Sequence, residues 1–291
     1  MKILITGAGG FLGKHIIGQM TRTGKNIIFA TSLSFDGLEA YEGKICFIPN
    51  ADIMSFDFSQ IDLVINCAFP RAADGAGYAR GIHFLSELLK RIQPFDRCGM
   101  MDISSQSLYP SSRRFPADED TPLALETEYD VGKYCVELLM DAVLCGHKRV
   151  HLRLASLIGP DFDQRIVNRF ARAVAQGGDL VVNGGQQLLG FLDVRDCADA
   201  ICSVAAQWDK VDDRGQVFNV GAEKSKSLLE IAQTVVSIGR EFGFDQARIV
   251  IGAPDVWKNT GLNAAKFCDR FSWKPRYGLE DTVREIYKRL V

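Results

Sequence analysis

A tyrosine and a lysine with the spacing of one helical turn are the residues best suited to acid–base chemistry. Tyr129 and Lys133 enclose the run Tyr-Asp-Val-Gly-Lys. Residues four positions apart lie on one face of a helix, so the ammonium would lie beside the phenol. A phenol is a poor base near neutral pH, because its reference pKa is about 10, and a nearby ammonium favours the phenolate. The pair predicts a tyrosine that exchanges a proton with a substrate hydroxyl, although an isolated pair is usually an ordinary helix start.

Ser105 offers a hydroxyl group at a second point in the chain. It follows an apolar run at residues 100–103 that has the composition of a buried strand. Ligands of doubly wound parallel sheets bind at the carboxyl ends of the strands. We therefore predict that Ser105 joins Tyr129 and Lys133 in the catalytic centre.

Glycines recur every third residue directly after the first apolar run, at residues 2–5. A strand, a glycine turn and a helix together form a site for a pyrophosphate, because the backbone can approach the ligand and the helix N-terminus attracts anions. The turn therefore predicts a bound dinucleotide. The residues expected to contact it are Gly7, Gly10, Phe11, Leu12 and Gly13.

The end of the second predicted strand bears on the identity of the dinucleotide. An acid at this point would bind the ribose 2′-hydroxyl of NAD, but the strand continues into Thr31 and Ser32, and Asp36 comes several residues late. Hydroxyls accept a 2′-phosphate more readily than a carboxylate does, which slightly favours NADP. No arginine follows to bind that phosphate, so the sequence leaves NAD or NADP open.

Short apolar runs alternate with amphipathic segments in the first half of the chain, as in βαβ units. The fold class predicted is α/β, a doubly wound parallel (Rossmann) sheet with a smaller, interleaved C-terminal substrate lobe. Because such strands are buried on both faces, we expect them to be apolar nearly throughout. The predicted strands are 2–5, 26–30, 45–48, 63–67, 100–103 and 150–154, and the predicted helices are 80–92 and 130–144.

The second half of the chain is less regular. We expect a cofactor domain at residues 1–160, rejoined by 190–223, and a substrate lobe at 161–189 and 224–291. The predicted strands are 180–182, 191–194 and 217–220, and the predicted helices are 164–176, 197–207, 228–239 and 279–290. The acidic, proline-rich loop 109–129 is long enough to suggest a functional role.

Composition and charge restrict the possible partners. The net charge is −2, which gives no reason to expect nucleic acid or an anionic membrane surface as a partner. No signal peptide and no run of roughly 20 apolar residues is visible. The eight cysteines show no C-x-x-C spacing, which favours free thiols in a cytoplasmic protein, and no cluster predicts a metal site.

Taken together, these residues resemble the extended short-chain dehydrogenase/reductases, the NAD-dependent epimerase/dehydratase family, over essentially the whole chain. The further matching segments are Asp52-Ile53, Asn66-Cys67-Ala68, Glu119-Asp120-x-Pro122, Arg153 with Gly159-Pro160, Phe191-x-x-Val194-x-Asp196, Phe218-Asn219-Val220-Gly221 and Trp273-x-Pro275.

The resemblance implies roles for residues on both sides of the cofactor. Asp52 and Ile53 would lie beside adenine, and Ala68 would contact the dinucleotide. Lys133 would hold the nicotinamide ribose and act on Tyr129, which with Ser105 would bind the reacting oxygen. Such proteins commonly dimerise through two helices, which here correspond to residues 80–92 and 130–144, so a homodimer is expected.

The chain also departs from the family pattern. The acid pair of sugar dehydratases is replaced by Gln106 and Ser107, which argues against elimination of water. Leu189 replaces an arginine that binds the diphosphate in many relatives. Tyr78 replaces a supporting asparagine. The residues that are candidates for substrate contacts are Ser107, Asn168 and Arg195, with Arg165 and Arg169 as further possible cations.

The function predicted is a sugar-nucleotide epimerase or 4-ketoreductase dependent on NAD or NADP, with Tyr129 as acid and base. Its substrate would be a small molecule, a nucleotide-linked sugar. Two alternatives stay open at this point. One is reduction of a carbonyl compound without a nucleotide, which Leu189 favours. The other is a cofactor-binding regulator without catalysis, which the retained Tyr129 and Lys133 disfavour.

Overall fold

A computed structural model describes residues 1–71 and 74–291. The chain divides into two compact units. The first unit comprises Met1–Tyr109, Pro122–Arg153 and Ala198–Phe218. The second unit comprises Pro110–Thr121, Leu154–Cys197 and Asn219–Val291.

The strands alternate with helices along the described part of the chain. The strands are β1 (Lys2–Thr6), β2 (Ile27–Ser32), β3 (Cys46–Pro49), β4 (Leu63–Asn66), β5 (Gly99–Ser105), β6 (Arg149–Leu154), β7 (Ser156–Ile158), β8 (Leu180–Val182), β9 (Leu188–Leu189), β10 (Phe191–Asp193), β11 (Gln216–Val220), β12 (Lys226–Ser227) and β13 (Ile249–Ile251). The helices are α1 (Phe11–Thr23), α2 (Gly75–Ile92), α3 (Glu128–Val143), α4 (Ile166–Ala175), α5 (Val194–Ala206), α6 (Leu228–Glu241), α7 (Ala265–Phe271) and α8 (Leu279–Leu290).

The first unit is built around a seven-stranded sheet with the order β11-β6-β5-β4-β1-β2-β3. Strand β1 pairs in parallel with both β2 and β4, and the pairs β2–β3 and β4–β5 are parallel as well. The strand order reverses direction beside β1, which is the point where doubly wound sheets bind their ligands. The predicted α/β fold is confirmed.

The core of this unit lies between the sheet and the helices α2 and α3. Leucines of α2 and the apolar residues of α3 face the sheet because they recur at helical spacing. The fully buried members of this cluster include Leu4, Val64, Leu85, Leu88, Leu89, Met100, Val136 and Met140. This packing fixes α3, which begins with a capping box between Thr127 and Asp130, against β5.

The expectation of strands that are apolar nearly throughout is wrong for β5 and β6. Asp102 is fully buried in β5, and His151 and Arg153 are buried in β6. They are tolerated because each has a polar partner, as buried charges require. Asn66 Nδ2 donates to Asp102 Oδ1 at 2.8 Å, and Arg153 Nη2 donates to Glu137 Oε2 at 2.7 Å.

The second unit contains three two-stranded sheets and a helical cluster. Strand β10 pairs with β7, β13 with β8, and β12 with β9. Helices α4, α6 and α8 pack on one another around buried residues such as Ile231, Val235 and Tyr287. The short strands β7, β9, β12 and β13 and the helix α7 were not predicted from the sequence.

The loop 110–121 lies in the second unit, although the sequence placed it in the cofactor domain. Backbone contacts explain this: the Ala117 N–H donates to the Gly261 carbonyl at 3.0 Å, and Asn219 Nδ2 donates to the Ala117 carbonyl at 3.0 Å. Residues 190–197 and 219–223 also lie in the second unit. The assignment of one part to the cofactor and the other to the substrate stays a prediction.

None of the helices in the described part of the chain is both long and apolar enough to cross a membrane.

We expect the buried histidine of β6 to make stability depend on pH. Burial lowers the pKa of His151, but the carboxylates of Asp102 and Asp141 outweigh it and raise that pKa to about 9. Since this lies above the unfolded value of 6.5, the contribution to stability is complete below pH 6.5 and is lost as the pH rises through about 9.

Denaturant unfolding from about pH 6 to about pH 10 measures this contribution. The free energy of unfolding should fall more steeply with pH in the wild-type protein than in His151→Gln. The exposed His83→Gln is the control and should follow the wild type. Parallel curves for wild type and His151→Gln would contradict the assignment.

Candidate active site

Tyr129 and Lys133 lie in the first two turns of α3. The helix begins at Glu128, two residues earlier than predicted, because the Thr127 hydroxyl accepts the Asp130 N–H at 3.3 Å and Asp130 Oδ2 accepts the Thr127 N–H at 2.9 Å. This capping box satisfies two backbone donors at the helix start. Tyr129 is half-buried and Lys133 is buried, so the predicted pair lies on a helix that is fixed at its end.

The ammonium of Lys133 connects α3 with β5. Its Nζ donates to the carbonyl oxygen of Ile103 at 2.5 Å. Ser105 is the last residue of the same strand, two positions further on. The structure therefore brings Lys133 to the carboxyl end of β5, where the catalytic serine was expected.

Ser105 begins a short 3₁₀ turn over residues Gln106–Leu108. Its Oγ accepts the N–H of Ser107 at 3.1 Å, and the two hydroxyl oxygens lie 2.9 Å apart. Ser107 thus lies beside the predicted catalytic hydroxyl, which is consistent with a contact to the same substrate. Neither Gln106 nor Ser107 supplies an acid here.

Two aromatic rings surround Tyr129. Its ring lies 5.9 Å from that of Phe69, with an interplanar angle of 69°, and 6.1 Å from that of Tyr78. The Lys133 Nζ lies 4.6 Å from the centroid of the Phe69 ring, within the range of a cation–π contact. Phe69 was not identified from the sequence; the available signal was an aromatic residue directly after Asn66-Cys67-Ala68, which begins at the last residue of β4.

The glycine turn folds against the end of β4. Gly7 has a left-handed φ of +65°, and a Cβ at that position would lie 2.8 Å from the carbonyl carbon of Cys67 and 2.9 Å from the nitrogen of Ala68. Only glycine fits this approach. Gly10 caps α1 without a side chain that bonds the first N–H groups, and no acid stands in its first turn. A helix start without a side-chain cap and without an acid suits a pyrophosphate.

The other predicted cofactor residues lie at the ends of β2 and β3. Thr31 is buried, and its hydroxyl has no hydrogen-bond partner among the described residues. Ser32 ends β2 beside Gly9, whose Cβ would lie 3.0 Å from the Ser32 hydroxyl oxygen. Asp52 is exposed at the start of a 3₁₀ turn that contains the buried Ile53. A buried hydroxyl without a partner fits a site that binds a polar ligand.

The positive charge of Lys133 favours the ionised form of the buried Asp102. Burial opposes the ionisation of Asp102, but Lys133, His151 and Asn66 outweigh it and hold the pKa of Asp102 below its usual value. Burial raises the pKa of the Cys67 thiol to about 12, and the ammonium of Lys133 offsets only part of that effect. Cys67 is therefore a protonated thiol at neutral pH and is unsuited to act as a nucleophile.

The predicted substrate residues of the second unit differ in how they are bound. Asn168 is buried, its Nδ2 donates to the Gly159 carbonyl at 2.9 Å, and its Oδ1 has no partner among the described residues. Arg195 forms a bidentate pair with Asp193 and lies 3.7 Å from the Tyr277 ring. Asn168 retains a free acceptor, whereas the guanidinium of Arg195 is already paired. A role for either in binding substrate stays a prediction.

The remaining candidates are two arginines and the leucine that replaces the family arginine. Arg165 lies over the Phe162 ring at 5.2 Å, Arg169 is exposed, and Leu189 lies half-buried in β9 opposite Lys226. Among residues 1–71 and 74–291, no three of the His, Cys, Asp and Glu side chains form a group that could hold a metal ion.

Comparison with known proteins identifies the family to which this geometry corresponds. A model of the NAD-dependent epimerase/dehydratase family matches residues 3–221. The chain is 25% identical to a UDP-N-acetyl-alpha-D-glucosaminuronate decarboxylase of Bacillus cytotoxicus, over 97% of each protein. It is 21% identical to a UDP-glucose 4-epimerase of Lactobacillus helveticus, over 99% of the chain and 96% of that protein.

Solved structures show the same fold. A UDP-glucuronic acid 4-epimerase from Bacillus cereus, in complex with UDP-glucuronic acid and NAD, superposes with a TM-score of 0.83. The two proteins are 22% identical, and the match covers 100% of both chains. At this identity the likeness concerns the fold.

We expect Gly7 to be required for the turn in a way that another left-handed glycine is not. Gly24 has a similar φ of +60° with no atom within 4 Å of its Cβ position. Gly24→Ala should cost about 1 kcal/mol, the left-handed backbone cost alone. Gly7→Ala adds the collision with Cys67 and should cost more than about 2 kcal/mol.

Denaturant unfolding and calorimetric titration with NAD measure the two effects. Gly7→Ala should also lose measurable NAD binding, while Gly24→Ala keeps it. Equal stabilities of the two variants would show that the close contact between Gly7 and the Cys67 backbone is not the reason that glycine is required at this position.

Proposed function

The chain belongs to the NAD-dependent epimerase/dehydratase family, and from this premise we propose that it is an NAD-dependent epimerase of a UDP-linked sugar. The observation that carries the proposal is the hydrogen bond from Lys133, one turn after Tyr129 on α3, to the Ile103 carbonyl two residues before Ser105, with no acid pair next to Ser105. The relatives and structural neighbours reported above are named for UDP-sugars, which supports that substrate class.

The glycine turn and the N-terminus of α1, which has no side-chain cap, fit NAD, and Thr31 and Ser32 would hold its adenosine ribose. The structural neighbour with both ligands contains NAD, and the slight preference for NADP finds no support in the comparisons. Bound NAD supplies a ring carbon that accepts a hydride from the sugar and returns it. Lys133 holds the nicotinamide ribose in this proposal.

In this proposal Tyr129 transfers the proton of the sugar hydroxyl, and Ser105 binds the reacting oxygen. Tyr129 takes the proton from the sugar hydroxyl as the carbon is oxidised. Ser105 donates a hydrogen bond to the oxygen of the resulting ketone. Tyr129 then returns the proton when the carbon is reduced on its opposite face, which inverts the configuration.

Relatives named as decarboxylases favour a second candidate reaction. Oxidation of the hydroxyl β to a sugar carboxylate produces a β-keto acid, which loses carbon dioxide readily. The same three residues would perform the oxidation. The two candidates differ in whether the product has inverted configuration or has lost its carboxylate.

We expect Tyr129→Phe to lower turnover by about 10² to 10⁴, because it removes the acid–base group and leaves the ring in place. The measurement is product formation with UDP-glucose, UDP-N-acetylglucosamine and UDP-glucuronic acid as substrates. The products are separated by chromatography, and their masses are determined by mass spectrometry. NAD affinity should change little.

Tyr134→Phe on the same helix is the control and should retain wild-type turnover. Wild-type protein that binds NAD but converts none of these substrates would remove the proposal. Release of carbon dioxide from UDP-glucuronic acid would favour the second candidate. Reduction only of an added 4-keto sugar would identify a ketoreductase.

An exposed apolar stripe on α3 supports a proposal of a homodimer. On α3, Val131 is 46% exposed and Leu138 is 51% exposed. Together with Cys135 and Ala142 they form one stripe at helical spacing. Such a stripe on a helix that already buries its opposite face fits a contact with a second subunit.

A charge in this stripe should separate the subunits. We expect Leu138→Glu to convert a dimer into a monomer in sedimentation velocity, because an unpaired carboxylate would be buried at the contact. Leu290→Glu, at the exposed end of α8, is the control and should leave the sedimentation coefficient unchanged. A monomeric wild-type protein would contradict the proposal.

A further inference from the structure

Phe69 lies at the centre of the aromatic contacts around the proposed catalytic pair. Its ring stacks on Tyr78 with centroids 6.0 Å apart and an interplanar angle of 12°. Its face lies 4.6 Å from the Lys133 Nζ, and Tyr129 lies edge-on at 5.9 Å. One ring thus contacts both of the side chains that the proposed reaction requires.

Two glycines inside helices give this ring and the following proline their place. A Cβ on Gly132 of α3 would lie 2.8 Å from Phe69 Cζ, and a Cβ on Gly81 of α2 would lie 2.5 Å from Pro70 Cδ. Glycine destabilises the interior of a helix relative to alanine, so a glycine there calls for a packing reason. Here the reason is the close approach of Phe69 and Pro70 to both helices.

The turn that carries Phe69 is itself fixed. The Phe69 N–H donates to the carbonyl of Cys67 at 3.2 Å, directly after β4. Cys67 is the residue against which Gly7 packs. The ring is therefore connected to the glycine turn through the backbone.

Lys133 needs such a contact because its side chain is long. The hydrogen bond to the Ile103 carbonyl fixes one direction of the ammonium. The face of an aromatic ring attracts a cation, and more strongly where water is excluded, as around the buried Lys133. The ring thus restricts the ammonium from a second direction.

We propose that Phe69, seated on Gly132, is a positioning residue that holds the ammonium of Lys133 at the cofactor ribose and beside Tyr129. The inference rests on the proposed function, because Lys133 acts there through the cofactor and Tyr129. Phe69 itself acts only through Lys133.

Calorimetric titration with NAD, without any sugar, tests the link between Phe69 and Lys133. We expect Phe69→Leu to weaken NAD binding about fivefold and Lys133→Met to weaken it at least as much. In the double variant, Phe69→Leu should have no further effect, because the ammonium through which it acts is absent.

An equal loss from Phe69→Leu with and without Lys133 would overturn the proposal, since it would show that Phe69 acts independently. An unchanged affinity in Phe69→Leu alone would overturn it as well. Wild-type protein that binds no NAD would overturn both this inference and the proposed function.

Gly132→Ala provides a second test that does not alter an aromatic residue. The added methyl collides with the ring, so we expect weaker NAD binding than in the wild type. In the Phe69→Leu background the same change should have no effect on binding and should stabilise the helix. Tyr78→Phe, which keeps the stacked ring, is the control and should bind as the wild type. Unchanged binding in Gly132→Ala alone would contradict the seating of the ring.

The pH profile of turnover distinguishes this inference from the proposed function. If a UDP-sugar is converted, Phe69→Leu should displace the acidic limb of kcat, which a purely structural role would not do; an undisplaced limb would count against the proposal. If no UDP-sugar is converted, the proposed function fails, while the NAD titrations still decide whether Phe69 positions Lys133.

Discussion

The hydrogen bond from the Lys133 ammonium to the Ile103 carbonyl is the contact on which the site depends. It is 2.5 Å long and joins a side chain of α3 to the backbone of β5. Tyr129 lies one turn before Lys133 on α3, and Ser105 lies two residues after Ile103 on β5. This hydrogen bond therefore holds the part of α3 that carries the phenol against the end of β5 that carries the hydroxyl. A shift of α3 along the sheet would separate them.

A buried ion pair and a buried hydrogen bond keep α3 in this position. Glu137, one turn after Lys133, accepts hydrogen bonds from Ser104 at 2.5 Å and from Arg153 at 2.7 Å. A buried pair contributes little net stability, but breaking it leaves an uncompensated charge. If the helix slid by one turn, Glu137 and Lys133 would both lose their buried partners. These contacts therefore specify the register of α3 on β5 and β6.

Close approach of the backbone is the second requirement. Gly7 allows the cofactor turn to lie against the end of β4, and Gly81 and Gly132 allow the residues after β4 to lie between two helices. The segment from Cys67 to Pro70 is therefore in contact with the glycine turn on one side and with the proposed catalytic pair, Tyr129 and Lys133, on the other. The proposed cofactor site and the proposed acid–base site are parts of one packed region.

Features that depend on neighbouring residues in the chain could be predicted before the structure was known. The order of strands and helices in the first half, the glycine turn and the tyrosine–lysine spacing follow from period and position, which a chain displays before it folds. Other features became visible only in the tertiary structure. They are the burial of Asp102 and His151, the place of loop 110–121 in the second unit, and the contact of Phe69 with Lys133. These contacts join residues far apart in the chain, and no spacing encodes them, because each depends on which strands and helices become neighbours.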